Sequence, residues 1–402
     1  MSTSSSIQDC ARRGSERTAN LLADLVSIPS LSCDERAVVE RIGNEMNDAG
    51  FDEVRVDGLG SIIGRIGSGK TLIAIDAHVD TVDSGNRALW SFDPFKGHVR
   101  DGRVWGRGAA DQKGGMAAMI AAGRMMKELG IEGDFTVLFT GTVMEEDCDG
   151  LCWRHLIKED GIKPDVCVIT EPTGLNIYRG HRGRMEMEVS CSGKSAHGSA
   201  PERGDNAVYK MARVALEIER LNARLTGYEF LGKGTIVVSD FSSSGPSQCA
   251  VPDSARIYID RRLALDENRK IAIAQLEAIG ELEKIAGLEV SVPVYRRAAY
   301  TGKIYPTDKY FPTWAIPEDH RAVRASADAC KSLFGSAPRI DKWTFSTNGV
   351  AICGMHGIPC VGFGPGFEEQ AHAPDEWIPI EHLWKAAAFY AAFPSAFLLS
   401  PA

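Results

Sequence analysis

The stretch Ile73-Ala74-Ile75-Asp76-Ala77-His78-Val79-Asp80-Thr81 ends in two side chains that can do chemistry. Its β-branched apolar start, free of Gly and Pro, predicts a buried strand. Residues two apart in an extended chain point the same way, so His78 and Asp80 emerge together at the strand end. An imidazole backed by a carboxylate is a common arrangement at a metal. It is also what any histidine and aspartate form at a strand end, and this stretch alone leaves both readings open. Recurrence separates them. Residues 135–140 read as an apolar strand running into Gly141-Thr142-Val143-Met144-Glu145-Glu146-Asp147, and residues 166–170 as one running into Glu171-Pro172-Thr173. Asp111 sits in a Gly-rich loop, Gly106 to Gly115, and His372 in the late loop Ala371-His372-Ala373-Pro374-Asp375-Glu376.

His78, Asp111, Glu146, Glu171 and His372 are therefore the candidate metal ligands. One bridging carboxylate and two terminal ligands per ion would hold a pair of divalent cations. Mixed imidazole and carboxylate donors suit Zn²⁺, Mn²⁺ or Co²⁺ better than Mg²⁺ or a thiolate-seeking ion. Glu145 is left over as a free carboxylate, and hydrolysis needs one as general base and then as proton donor to a leaving amine. The Gly-rich loop admits a second reading as a phosphate cradle. It fits neither GxxxxGK[ST] nor GxGxxG, and the alternative is that its glycines let the backbone close around Asp111.

The elements that must position these groups follow from periodicity and breakers. Residues 18–28 are amphipathic and stop at Pro29. Asp34 is the expected cap of a second helix ended by Gly50. Strands are expected over 51–56 and 61–66, a loop over 90–105, and a helix over 116–129. Strands that alternate with helices and end in acids or imidazoles describe an open α/β sheet with its site beyond the strands' carboxyl ends. After Gly180 the order is strand 185–191, helix 205–225, strands 235–241 and 255–261, helix 267–286 and strand 288–294. This βαββαβ order is that of a ferredoxin-like unit. It is read as an insertion, dividing the chain into 1–180, 181–296 and 297–402, with 295–317 as return linker. A helix over 318–334, a turn at Trp343 to Gly349, a short strand over 358–363 and a last helix over 380–393 complete the first unit.

Length and composition agree with this. A chain of 402 residues favours two domains. A hydrophobic content of 44% with 25% charged residues is that of a soluble globular protein. The net charge of −9 points away from nucleic acid and anionic membrane as partners. The ten cysteines form no CxxC pair and read as free thiols in a reducing cytoplasm. Residues 1–8 are polar, without the apolar core of a signal peptide, and no uncharged apolar run reaches membrane-spanning length.

The segments AHVDT, GRGAADQKGG, GTVMEED, ITEPT, GKSAHGSAP and AHAPDE occur in this order from about Leu21 to the last helix. Together they resemble the co-catalytic dinuclear metallopeptidase and amidohydrolase family of aminoacylase, acetylornithine deacetylase, succinyl-diaminopimelate desuccinylase and glutamate carboxypeptidase. The resemblance implies a phosphorylase/hydrolase-like zinc-peptidase catalytic domain with an inserted ferredoxin-like lid and dimerisation domain. It implies two ions, Zn²⁺ first with Mn²⁺ or Co²⁺ as alternatives. His78, Asp111 and Glu171 would hold one, and Glu146, Asp111 and His372 the other. Asp80 would orient His78, and Glu145 would be the acid/base. His197, on the lid, matches the histidine that stabilises the oxyanion, often across a homodimer; its residue-level alternative is a turn histidine near Pro201. Arg262 matches a position that binds a substrate carboxylate; its alternative is a surface salt bridge.

Departures from the family pattern bear on substrate. Cys249 stands before Ala250-Val251-Pro252 where an asparagine is usual, and Ser346-Thr347-Asn348-Gly349-Val350 replaces an SDGR turn. Asn348 and Tyr178 are the remaining candidate substrate contacts. Arg179, His181, Arg182 and Arg184 form a basic hinge, either a solvated cluster or a recognition site for an anionic substrate. The expected reaction is hydrolysis of a carbon–nitrogen bond, the amide of an N-acyl amino acid or dipeptide, by metal-activated water. The alternatives are hydrolytic deamination or other non-peptide C–N hydrolysis of a small carboxylate-bearing substrate, such as an aminobenzoate, and a non-catalytic binding protein.

Overall fold

The structure, a computed structural model, describes residues 3–401; Met1 and Ser2 of the polar N-terminal stretch, and Ala402, lie outside it. An eight-stranded sheet has the order Glu53–Val56, Ile62–Gly67, Phe135–Thr142, Thr71–His78, Val166–Ile169, Cys360–Gly362, Ile177–Tyr178, Ile340–Asp341. Its four central strands, Phe135–Thr142 to Cys360–Gly362, run parallel. Strands covered on both faces need continuous apolar sequence, and Ile73 to Ala77 and Val166 to Ile169 are buried without a break. Helices Gly114–Leu129 and Ile380–Leu399 pack together, joined by Ser15–Val26 and Thr3–Arg13. The first of these approaches the sheet so closely that a Cβ at Gly115 would lie 2.2 Å from Thr170 Oγ1. This glycine seats the Asp111 loop over the strand ends.

The second sheet follows the order Thr235–Ser244, Ser254–Leu263, Gly183–Ser192, Glu289–Ser291, all antiparallel. With helices Ala207–Arg224 and Arg269–Leu282 it is the βαββαβ arrangement read from the sequence. Side chains alternate across a strand: Met185, Met187, Ile257 and Ile259 bury under the helices with Met211, Val214 and Leu276, while Arg184, Glu186, Asp260 and Arg262 take the other face.

Several expectations change. Residues 295–317 are more than a linker, because Tyr310–Phe311 adds a strand to the second sheet beside Gly183–Ser192. Asp34 does not cap the helix Arg36–Asp48; Glu35 occupies that position and makes no side-chain cap bond, its carboxylate accepting instead from Cys33 N and Met144 N. The loop 90–105 contains a hairpin, His98–Arg100 with Arg103–Trp105, and Trp377–Pro379 adds a third strand. Helices Thr3–Arg13 and Leu151–Lys158 were not anticipated. The last helix continues to Leu399 through Pro394.

The two crossings between the sheets are hydrogen-bonded to each other, Gly180–His181 pairing with Trp314–Ala315. His181 is fully buried, edge-on to Trp314 and Trp343. Its Nδ1–H donates to Arg182 O (2.9 Å), and its Nε2 accepts from Trp314 Nε1 (2.7 Å) and Thr347 N (3.1 Å). The ring is thus fixed as the neutral tautomer, and burial holds its pKa down to about 4. The unfolded chain then binds the extra proton between its own pKa, about 6.5, and 4, so stability rises with pH across that window. Acidification from about pH 7 to 4 should remove about 3 kcal/mol through this residue. Urea unfolding of wild type and His181→Gln at several pH values checks this: the advantage of the wild type should shrink as pH falls, and a constant difference would refute it.

Candidate dinuclear metal site and cleft

Each candidate ligand reaches the same place from a different element. His78 ends a central strand, Glu145 and Glu146 follow the neighbouring strand, and Glu171 follows the next. The backbone makes two left-handed entries here: Met144, just before the acid pair, has φ 62° and His372 has φ 60°. Such values are uncommon for residues other than glycine and gather at functional sites.

His78 Nε2 lies 3.0 Å from Asp111 Oδ1 and 3.5 Å from Glu171 Oε1. His372 Nε2 lies 3.3 Å from Asp111 Oδ2 and 3.0 Å from Glu146 Oε2. Asp111 thus turns one oxygen to each imidazole, the position of a bridging ligand. Glu145 Oε2 is 4.0 Å from His78 Nε2, and Glu145 also falls within a ligand-spaced group with His78 and Glu171. Burial pushes the Glu145 and Glu146 carboxyls up, and Glu171 to about 7, with neighbouring carboxylates adding to each shift. Burial opposes ionisation of Asp111 too, but the hydrogen bonds from His372 and His78 hold it low. Hydrogen bonds to Asp111 and Glu146 raise His372 to about 10.

The donor set fits a pair of divalent cations. Glu145 Oε1 and Glu171 Oε2 are buried without a hydrogen-bond partner among the described residues. Carboxylates this crowded need positive charge to be stable together. Imidazole and carboxylate donors match Zn²⁺, Mn²⁺ or Co²⁺.

Three supporting carboxylates are buried beneath the ligands. Asp80 faces the acid turn: its carboxylate accepts from Glu145 N (3.2 Å), Glu146 N (3.1 Å) and Ser32 Oγ (2.6 Å). The nearest partner of His78 Nδ1 is the Asp80 main-chain carbonyl at 2.9 Å, with the carboxylate at 3.5 Å. Asp80 therefore steadies the imidazole with its backbone and the acid pair with its side chain. Glu376, inside the AHAPDE segment, accepts from Arg107 Nη1 (2.8 Å), Gly108 N (2.9 Å), Ala110 N (2.7 Å) and Asp111 N (3.0 Å). Asp76 accepts from Thr140 Oγ1 (2.7 Å) and Asn348 Nδ2 (2.9 Å). Sequence reading missed the roles of Glu376 and Asp76, although the first ends the AHAPDE segment and the second immediately precedes AHVDT. Asp80→Asn would set an amide N–H₂ among these donors, and outer-shell losses of this kind cost tenfold to a hundredfold in metal affinity. Chelator competition should show a drop of about that size; unchanged affinity would remove the supporting role.

Asp111, Glu146, Glu171 and His372 line a cleft of about 270 Å³ together with Glu145, Asp149, Arg184, Arg262, Phe345, Ser346 and Glu368, while His78 is buried behind them. Arg262 lines this cleft and is at the same time paired with Asp260 through Nε (2.9 Å) and Nη2 (3.1 Å). Asn348 is a correction: it is buried, its Nδ2 donating to Asp76 and Thr142 (3.0 Å) and its Oδ1 accepting from Gly150 N (3.0 Å) and Cys152 Sγ (3.1 Å). All its hydrogen-bonding capacity is taken, so it braces the strand ends from below and does not reach substrate. Tyr178 is also outside this cleft; it lines an adjoining cavity beyond Glu368 with Arg339 and Lys342. His197 is exposed on the second sheet's side, bonded to Ser199 Oγ at 2.7 Å, and does not line the cleft of its own chain.

The chain is 52% identical to the uncharacterised protein YgeY of Escherichia coli (strain K12), over 94% of this chain and 93% of that one. It is 29% identical to acetylornithine deacetylase of Vibrio parahaemolyticus, over 88% and 90%. The crystal structure of aminopeptidase PepT from Bacillus cereus superposes with a TM-score of 0.73 at 23% identity, covering 96% of this chain and 99% of that one. The sequence pattern of peptidase family M20/M25/M40 matches residues 74–396, which include every candidate ligand; the chain belongs to that family and is a metal-dependent hydrolase acting on carbon–nitrogen bonds.

Proposed function

We propose that the protein hydrolyses the amide of an N-acyl amino acid or dipeptide, with Glu145 as general base and then general acid. The observation that carries this is the Glu145 carboxylate: buried, unbonded at Oε1 and set against the ligand cluster. His78, Asp111 and Glu171 would hold one cation and Glu146, Asp111 and His372 the other; bound there, the ions would acidify water and polarise the scissile carbonyl. Glu145, whose raised pKa comes first from burial, takes the water proton and returns it to the leaving amine. Arg262 receives the substrate carboxylate as a planar fork. His197, which does not line the cleft of its own chain, serves the oxyanion of a second copy, which makes the working form a homodimer joined through the lid. The assembly of all five donors around a free carboxylate speaks against a purely binding role. The ten free cysteines accord with a reducing cytoplasm, and no helix among the described residues is long and apolar enough to cross a membrane.

A metal-reconstituted screen of N-acyl amino acids, dipeptides and amino-aromatic acids, read by release of free amine, tests the proposal. Amide cleavage that depends on Zn²⁺, Mn²⁺ or Co²⁺ is expected. Activity confined to amino-aromatic acids, or none on any amide, would overturn it. His197→Ala should lower kcat about a hundredfold without moving metal content. Mixing His197→Ala with Glu145→Gln should restore part of the activity if the histidine acts across subunits, and no recovery would refute that arrangement.

A further inference from the structure

The helix-free face of the second sheet arranges its charges in rows. Arg184 and Arg262 are direct cross-strand partners, and Glu186 and Asp260 are partners two residues further along. Like charges directly opposite destabilise a sheet. The acid row is relieved by Lys309 Nζ, 2.9 Å from Glu186, and by the Tyr258 hydroxyl, which donates to the same carboxylate. The arginine row lies at the cleft end, and both guanidinium groups line the cavity that holds the metal ligands.

Neither arginine is saturated. A guanidinium carries five N–H groups. Arg184 donates from Nη1 to Glu186 (3.0 Å) and from Nη2 to Asp149 (2.7 Å); Arg262 donates from Nε and Nη2 to Asp260 (2.9 and 3.1 Å). Arg184 also lies over the Phe311 ring, 4.6 Å from its centroid, so its plane is fixed before any ligand arrives. The carboxylates lining the cleft away from the metal ligands are engaged. Asp149 is held by Arg184 and Ser346, and Glu368 by Thr344 N (3.1 Å) and Oγ1 (2.7 Å). Away from the ligand cluster, the cleft therefore keeps unused N–H groups on both arginines for an anion, while Asp149 and Glu368 already accept from protein donors.

We propose that Arg184 is a specificity-determining residue, forming with Arg262 a paired fork for a substrate with two carboxylates. The preferred substrates are then N-acyl aminodicarboxylates, ahead of neutral or cationic N-acyl amino acids. This inference rests on the amide-hydrolase reading above. A planar fork matches carboxylate bidentately, and a rigid one loses little conformational freedom on binding.

The test compares N-acetylglutamate, N-acetylglutamine and N-acetylornithine on the metal-reconstituted protein by steady-state kinetics, and by calorimetric titration of the same three compounds. Wild type should favour the glutamate compound over the glutamine one by tenfold or more, on the order expected for one desolvated charge contact. Arg184→Met should raise KM and Kd for it about tenfold to a hundredfold while moving those for glutamine little, and Arg184→Lys should recover part of the loss. Arg184→Met also frees the Asp149 charge, so Arg184→Met/Asp149→Asn is the control and should not regain the preference. An equal loss on all three compounds, a preference unchanged in the variant, or a best substrate in the ornithine compound would overturn the proposal. If no amide is cleaved but calorimetry shows Arg184-dependent selection of glutamate, the hydrolase reading fails and this one stands; cleavage without that selection gives the reverse.

Discussion

Glu145→Gln should lower kcat by about two to four orders of magnitude, the usual contribution of a positioned general base, and leave metal binding intact. The substitution keeps shape and removes only the ability to accept a proton. The backbone N–H of Glu145 stays on Asp80, so the acid turn keeps its course and Glu146 keeps its place beside His372. His78, Asp111, Glu171 and His372 are untouched. KM should change little, because the base acts on water and leaving group more than on bound substrate. Stopped assays over a wide enzyme range, with metal analysis of the same preparation, decide the matter. Since Glu145 also lies among ligand-spaced groups with His78 and Glu171, loss of metal along with turnover would make it a ligand, and wild-type activity would remove it from the chemistry.

Glu376→Ala should be the most destabilising single change near the site, costing about 3–5 kcal/mol, as breaking a buried ion pair does. Glu376 is fully buried, and burial pushes its carboxyl up to about 7 against the charge of Arg107. Its removal strands the buried Arg107 guanidinium and the N–H groups of Gly108, Ala110 and Asp111. These N–H groups define the loop that aims Asp111, so metal affinity should fall with stability. Adding Arg107→Met to Glu376→Ala removes the orphaned charge and should return part of the loss, since residues in one network are not additive. Urea unfolding with and without added metal measures both effects. A change under about 1 kcal/mol with metal affinity preserved would show that the loop holds itself.

Much of this arrangement could be read along the chain. Buried parallel strands must be continuously apolar, so a polar or ionisable residue at their ends stands out. His78, Glu146 and Glu171 were visible for that reason, and Asp111 through the glycines around it. The βαββαβ unit was legible because its strands alternate and its helices are long. Less visible were contacts between distant segments. The Tyr310–Phe311 strand is two residues long, too short to show a period, and exists because the edge of Gly183–Ser192 is there to pair with. Asn348 reads as a polar turn residue, and only the fold shows that Asp76, Thr142, Gly150 and Cys152 enclose it.

The sequence by itself singled out the candidate ligands that the fold brings together, because ligand type and strand-end position are local properties written in residue identity and spacing. Tertiary structure alone decided how those residues are held and what the cleft presents to substrate. Glu376 clamps a loop 265 to 269 positions away, and Arg184 meets Arg262 only because two strands far apart in the chain pair in one register. Such pairings depend on register and burial, which arise when the whole chain packs and leave no local pattern along it.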